Sequence, residues 1–229
     1  MQDPTPPKGG LFITFEGGEG AGKSTQVARL AATLRARTGR PVVVTREPGG
    51  SAYAEEIRAA LLAGAAKPYG PFAEALLFSA ARLDHLDRLI RPALARGEIV
   101  ICDRFSDSTR AYQGAAGGLD PSVLTALERV VVGPTRPDLT LILDLSPETG
   151  LARAAARGGE GRGEGKDRFE SEALSFHARL RAAFLTIAAY EPGRCAVIDA
   201  TADPDAVEAA IAATVAARLP ALAGEGAHG

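Results

Sequence analysis

The stretch Leu11–Leu30 reads LFITFEGGEGAGKSTQVARL. It begins as an apolar run rich in strand-forming residues and ends, continuing to residue 38, with apolar residues at helical spacing. Between these, Gly17 and then Gly22-Lys23-Ser24 match G-x-x-x-x-G-K-[ST], a phosphate-binding loop in the strand, loop, helix order that such a loop requires. Glycines let the backbone N–H groups turn inward, and the positive end of the following helix adds to the attraction for phosphate. Gly17, Gly18, Glu19, Gly20, Ala21, Gly22, Lys23, Ser24 and Thr25 are therefore expected to cradle a nucleotide's phosphates. Lys23 would reach the β- and γ-phosphates and Ser24 would ligate Mg²⁺, with Thr25 beside it.

Four further strand-like runs follow, PVVVTRE at 41–47, EIVICDR at 98–104, LTLILDL at 139–145 and CAVIDA at 195–200. Helical patterns at 51–64, 71–96, 121–133, 146–158, 170–190 and 203–219 alternate with them, the last starting near Asp203 or Pro204. This alternation predicts an α/β P-loop NTPase fold, with a five-stranded parallel sheet flanked by helices on both faces and ligands at the carboxyl ends of the strands. The 229 residues suit one core, expected over 11–220, with disordered tails at 1–10 and 221–229. A net charge of −2 gives no global pull toward nucleic acid or an anionic membrane. No apolar run reaches membrane-spanning length, and the first residues lack the pattern of a secretion signal. Cys102 and Cys195 both lie in strand-like runs and read as buried free thiols of a reducing compartment.

Three features beyond the loop carry chemistry. Asp103 ends a strand, where its carboxylate would emerge at the carboxyl edge of the sheet and assist the metal, and Arg104 sets a cation next to it. A Glu19 carboxylate aimed into an anion site would oppose phosphate, so its side chain should turn toward hydrogen-bond donors, a sugar hydroxyl of a second substrate being a suitable one. The stretch RGGEGRGEGKDR at 157–168 reads either as a solvated loop or as a mobile lid that supplies cations. None of the three histidines, at 85, 177 and 228, suits a catalytic role.

Taken in order, FEGGEGAGKST, TREPGGS, LLFSAARLDH, DRFSDSTRAYQG and RPDLTLILDLSPETGLARAAAR resemble bacterial thymidylate kinase over most of residues 11–199. The resemblance implies transfer of the γ-phosphoryl of ATP to dTMP with Mg²⁺, in a cytoplasmic homodimer packed through helices. It implies that Glu19 meets the deoxyribose 3′-hydroxyl and that Arg46 and Arg104 lie near the acceptor phosphate. Phe78 matches the aromatic that stacks on thymine, and Arg82, four residues on and so on the same helix face, matches a base-edge donor. Ser108, Tyr112 and Gln113 match residues lining base and sugar, the tyrosine ring disfavouring a ribose 2′-hydroxyl. Pro48 matches a tight turn in which the preceding bond can be cis.

Gly20 stands where some members of the family carry an arginine, so a transition-state cation is expected from the lid. Arg153 and Arg157 are best placed by motif position, with Arg162, Lys166 and Arg168 as further candidates. The catalytic set is thus Lys23, Asp103, Arg104, Arg153 and Arg157. Kinases of the same fold acting on dUMP, dCMP or a deoxynucleoside are rival readings, and Arg46 and Arg104 argue against an uncharged acceptor. A nucleotide switch is a rival of another class, but no guanine-reading N-K-x-D occurs.

Overall fold

The computed structural model of the chain describes residues 9–158, 169 and 172–222. Its five strands are β1 (Leu11–Gly17), β2 (Val42–Arg46), β3 (Ile99–Asp103), β4 (Leu139–Asp144) and β5 (Cys195–Asp199). They form one all-parallel sheet, as the alternation of runs predicts, and its strand order is β2-β3-β1-β4-β5. The helices are α1 (Lys23–Thr38), α2 (Ala52–Leu62), α3 (Gly70–His85), α4 (Arg91–Ala95), α5 (Ser106–Thr109), α6 (Pro121–Val131), α7 (Pro147–Gly158), α8 (Leu174–Tyr190) and α9 (Pro204–Arg218).

Side chains alternate across the central strand, and each set finds its own cover. Ile13 and Phe15 face Val27, Leu30 and Leu34 of α1 and Val207 and Ile211 of α9. Phe12 faces the other way, onto Leu86, Ile90 and Val132, while farther along that face Ile142 and Cys195 pack under Leu180 and Phe184 of α8. Cover on both faces is why the strands read as unbroken apolar runs rather than alternating ones. Each fully buried large side chain contributes about 1.5–3 kcal/mol, so these layers dominate over any single surface interaction. Both cysteines are buried and unpaired.

Local chemistry sets the ends of the helices. Asp203 accepts the N–H groups of Asp205 and Ala206, both at 3.0 Å, and Pro204 opens α9, which settles where that helix begins. Asp120 caps α6 in the same way through Ser122 N–H at 2.7 Å. The long helical segment expected at 71–96 is α3 and α4 joined by a π-helical turn over Leu86–Ile90. Residues 106–116, in which no helix was expected, form α5 and a π-helical turn. Glycine and serine there weaken the sequence signal, but Ala111, Tyr112, Gln113 and Ala116 are buried, and that packing outweighs propensity. The described residues include Gly9, Gly10, Ala221 and Leu222 outside the 11–220 span. Gly10 N–H donates to Leu94 O, and Leu222 joins the core beside α1 and α9 because its side chain fills apolar space there.

Strand register then assembles the site. Asp103 is opposite Phe15 on one side and Arg46 on the other, so Arg46, Asp103 and the entry to the glycine loop share one edge of the sheet.

Candidate active site

The glycine loop leaves β1 at Gly17 and enters α1 at Lys23. Gly20 has φ +69°, and a Cβ there would fall well inside 3.0 Å of Gly150 O, so only glycine lets the start of α7 lie against the loop. Lys23 is buried, and its Nζ donates to Gly17 O at 3.1 Å and Gly18 O at 2.9 Å. Burial lowers its pKa, Arg104 adds to the effect, and Glu19, Asp103 and Glu16 oppose it. Ser24 Oγ donates to Asp103 Oδ2 at 2.7 Å, and Thr25 is exposed on the next position of α1. A hydroxyl and a carboxylate thus stand side by side at the sheet edge, two hard oxygen donors of the kind that suit Mg²⁺.

Glu19 turns away from the loop toward donors, as its charge requires. Arg104 Nη2 approaches its two oxygens at 3.1 and 3.0 Å, and the Tyr112 hydroxyl donates to Oε1. Burial alone would raise the Glu19 pKa, but Arg104, Lys23, the Tyr112 hydroxyl and His177 outweigh it and hold it near 2. Arg104 also lies over the Tyr112 ring, 5.0 Å from its centroid, and Nη1 donates to Gly17 O at 3.2 Å. It reaches this position from a left-handed backbone, φ +67°, unusual for a side chain of this size. Two hydrogen bonds flank the turn: Arg104 N–H donates to Phe15 O at 2.9 Å and Phe105 N–H to Glu16 Oε1 at 2.8 Å.

Beyond the carboxyl end of β2, Arg46 is half exposed and donates to Glu55 at 3.2 Å, and the Glu47–Pro48 bond is cis. Phe78 is partly buried and belongs to none of the core clusters, while Arg82, one turn on, is buried with its Nε on Glu47 at 2.7 Å. Ser108 Oγ donates to Glu16 Oε2 at 2.6 Å, and Gln113 Nε2 donates to Glu74 at 3.1 Å. Arg153 sits apart from this group: its guanidinium donates to Ala200 O at 3.0 Å and Thr201 O at 3.3 Å, just beyond β5. The side chain of Arg157, together with Arg162, Lys166 and Arg168, lies outside the described residues.

Four contributors were missed in the sequence. Glu16 is wholly buried and accepts from Phe105 N–H, Ser108 N–H and Ser108 Oγ. Burial pushes its pKa up, Asp107 pushes further, and Ser108, Arg104 and Phe105 N–H pull back, leaving it about 7. The two-residue period of β1 places Glu16 on the face of Phe12 and Thr14, a signal that could have marked it as an inward acid. Glu47 and Asp107 are buried acids paired with arginines, Asp107 with Arg194 at 2.6 Å, and nothing local in the sequence links those partners. Gly150 is legible only through its contact with the loop.

Comparison with known proteins follows from this geometry. A family model described as thymidylate kinase matches residues 15–211. A thymidylate kinase of Caulobacter vibrioides is 60% identical over 210 residues, covering 92% of this chain and 98% of the relative. One of Rhodopseudomonas palustris is 59% identical over 221 residues, covering 94% and 93%. The crystal structure of thymidylate kinase from Ehrlichia chaffeensis superposes with a TM-score of 0.73 at 34% identity, covering 90% of this chain and 99% of that one.

Proposed function

Since the chain belongs to the thymidylate kinase family and transfers the γ-phosphoryl of ATP to dTMP, giving dTDP and ADP, we propose a division of labour among the residues gathered at its glycine loop. The observation that carries it is the Glu19, Arg104 and Tyr112 cluster at the mouth of that loop. A carboxylate and a guanidinium beside the phosphate loop support reading both as groups of the acceptor site.

The obstacle to the reaction is repulsion rather than proton transfer. A phosphate monoester has a second pKa of about 6 and is already largely dianionic at neutral pH. Two unit charges ~4 Å apart repel by about 4 kcal/mol at an effective dielectric near 20, and two nucleotides present several such pairs. Lys23, Arg46 and Arg104 offset this charge and hold the reactants in line. Glu19 takes the 3′-hydroxyl of the acceptor sugar, Phe78 stacks on the base, Arg82 donates to its edge, and Ser108, Tyr112 and Gln113 line base and sugar. Pro48 shapes the turn beside Arg46. Arg153 or Arg157 supplies the transition-state cation. Mg²⁺, held by Ser24 and Asp103, would add its charge to the β- and γ-phosphates.

We further assign a homodimer, supported by apolar side chains left exposed along α3, and a cytoplasmic enzyme, supported by the unpaired Cys102 and Cys195. Among the described residues no helix is long and apolar enough to cross a membrane. ADP release measured with dTMP, dUMP, dCMP, thymidine and no acceptor is the direct test. The expected result is turnover that depends on a monophosphate and is fastest with dTMP; release independent of acceptor would refute the scheme.

A further inference from the structure

His85 lies on the last turn of α3, is fully buried, and has as hydrogen-bond partners Thr45 and Glu47, neither of which is assigned to phosphate or sugar. Its Nε2 is 2.7 Å from Thr45 Oγ1 near the end of β2, and its Nδ1 is 3.1 Å from Glu47 Oε1. The other oxygen of Glu47 accepts from Arg82 Nε at 2.7 Å. Arg82 Nη2 continues the chain to Phe105 O and Thr109 Oγ1, both at 3.1 Å. A carboxylate can only accept, so the proton facing Glu47 is on Nδ1 of the imidazole. The loop carrying Arg46 and Pro48 closes directly over this ring. Gly50 has φ +86°, and a Cβ there would fall well inside 3.0 Å of both His85 Nε2 and Thr45 Oγ1.

The guanidinium is a rigid plane, so fixing Nε and Nη2 fixes where Nη1 points. That orientation is only as definite as the carboxylate that holds Nε. With Arg82 alone as partner, the Glu47 carboxylate could rotate and leave a buried oxygen unpaired; His85 occupies that oxygen and is itself anchored by Thr45 on the sheet.

We propose that His85 is a positioning residue for the acceptor base: pinned by Thr45, it holds the Glu47 carboxylate in the orientation that aims Arg82 at the base edge of dTMP. This rests on the assignment of Arg82 as the base-edge donor, and the test separates the two. Steady-state KM for dTMP and for ATP is measured on R82A, H85F, H85N and the double variant R82A/H85F. H85F removes both polar contacts; H85N keeps an amide N–H near the position of Nδ1, facing Glu47.

The expected result is that R82A and H85F each raise the dTMP KM by about tenfold or more, with the ATP KM near wild type. The double variant is no worse than R82A, and H85N recovers most of the loss. An additive double variant, or H85N no better than H85F, reduces His85 to a packing residue and overturns the relay. A silent H85F beside a responsive R82A does the same; a silent R82A overturns the base-edge assignment along with it. If H85F fails to fold, T45V removes only the anchoring hydroxyl and carries the same expectation at a few-fold, with an unchanged dTMP KM refuting it.

Discussion

Glu16 and Glu19 stand three positions apart and titrate in opposite directions, because each acid meets a different balance of burial and charge. Glu19 has Arg104, Lys23 and a tyrosine hydroxyl to hold it ionised near pKa 2, whereas burial and Asp107 lift Glu16 to about 7. A carboxyl whose pKa rises on folding lends stability that is present below its unfolded value and is lost as pH climbs through the folded one. For Glu16 that window runs from about 4.5 to about 7. Glu16→Gln cannot ionise, so its stability relative to wild type should climb by up to ~3 kcal/mol across the window. Glu19 is common to both proteins and drops out of the difference. Urea unfolding of the pair at several pH values checks this; a difference that stays flat with pH would contradict it. The same substitution loosens the turn that holds Arg104 at φ +67°, so kcat should fall even where stability rises.

One helix, α7, packs against the glycine loop. The first turn of α7 lies against it through Gly20 and Gly150, where a Cβ on either glycine would strike the other segment's backbone. Gly150→Ala should therefore displace the loop at Glu19 and raise the KM for both ATP and dTMP by about tenfold or more, as steady-state kinetics would reveal. Unchanged KM values for both would mean that the loop tolerates the shift. Farther along α7, Arg153 is held by carbonyl groups beyond β5. If the cation acting on the transferring phosphoryl comes from this helix, Arg153→Ala or Arg157→Ala lowers kcat by about 10³-fold or more, with dTMP affinity nearly unchanged. Activity close to wild type in both variants would remove the role from α7.

At the scale of the molecule, the outer face of α3 is unusual. Phe72, Leu76 and Leu83 follow helical spacing, Tyr69 precedes them in the adjoining turn, and all four are exposed, at 48%, 43%, 42% and 78%. A symmetric pair buries such a stripe against its own copy, and a charge placed there is then buried twice. Light scattering should give the wild type twice the 23.6 kDa chain mass and Leu76→Glu the single mass. Equal masses for the two proteins would count against this face as the interface. Because α3 also carries Phe78, Arg82 and His85, loss of the pair is expected to weaken dTMP binding as well.

The five strand runs and their parallel arrangement, the glycine loop, Asp103 at a strand end and the turn of Glu19 toward donors were all legible in the chain, since each depends on residues close in sequence or on a simple period. The helical segment at 106–116 was not, because its signal comes from burial rather than propensity. The pairings of the buried acids Glu16, Glu47 and Asp107 with Phe105, Arg82 and Arg194 were equally hidden. A hydrogen bond between residues 35 or 87 positions apart leaves no local trace, and whether an acid is solvated or locked inside depends on which element is folded over it. Local spacing thus marked the phosphate loop and the parallel sheet that carries it, while the tertiary structure alone decided which buried groups hold the site residues in place, because those contacts exist only once distant segments are packed together.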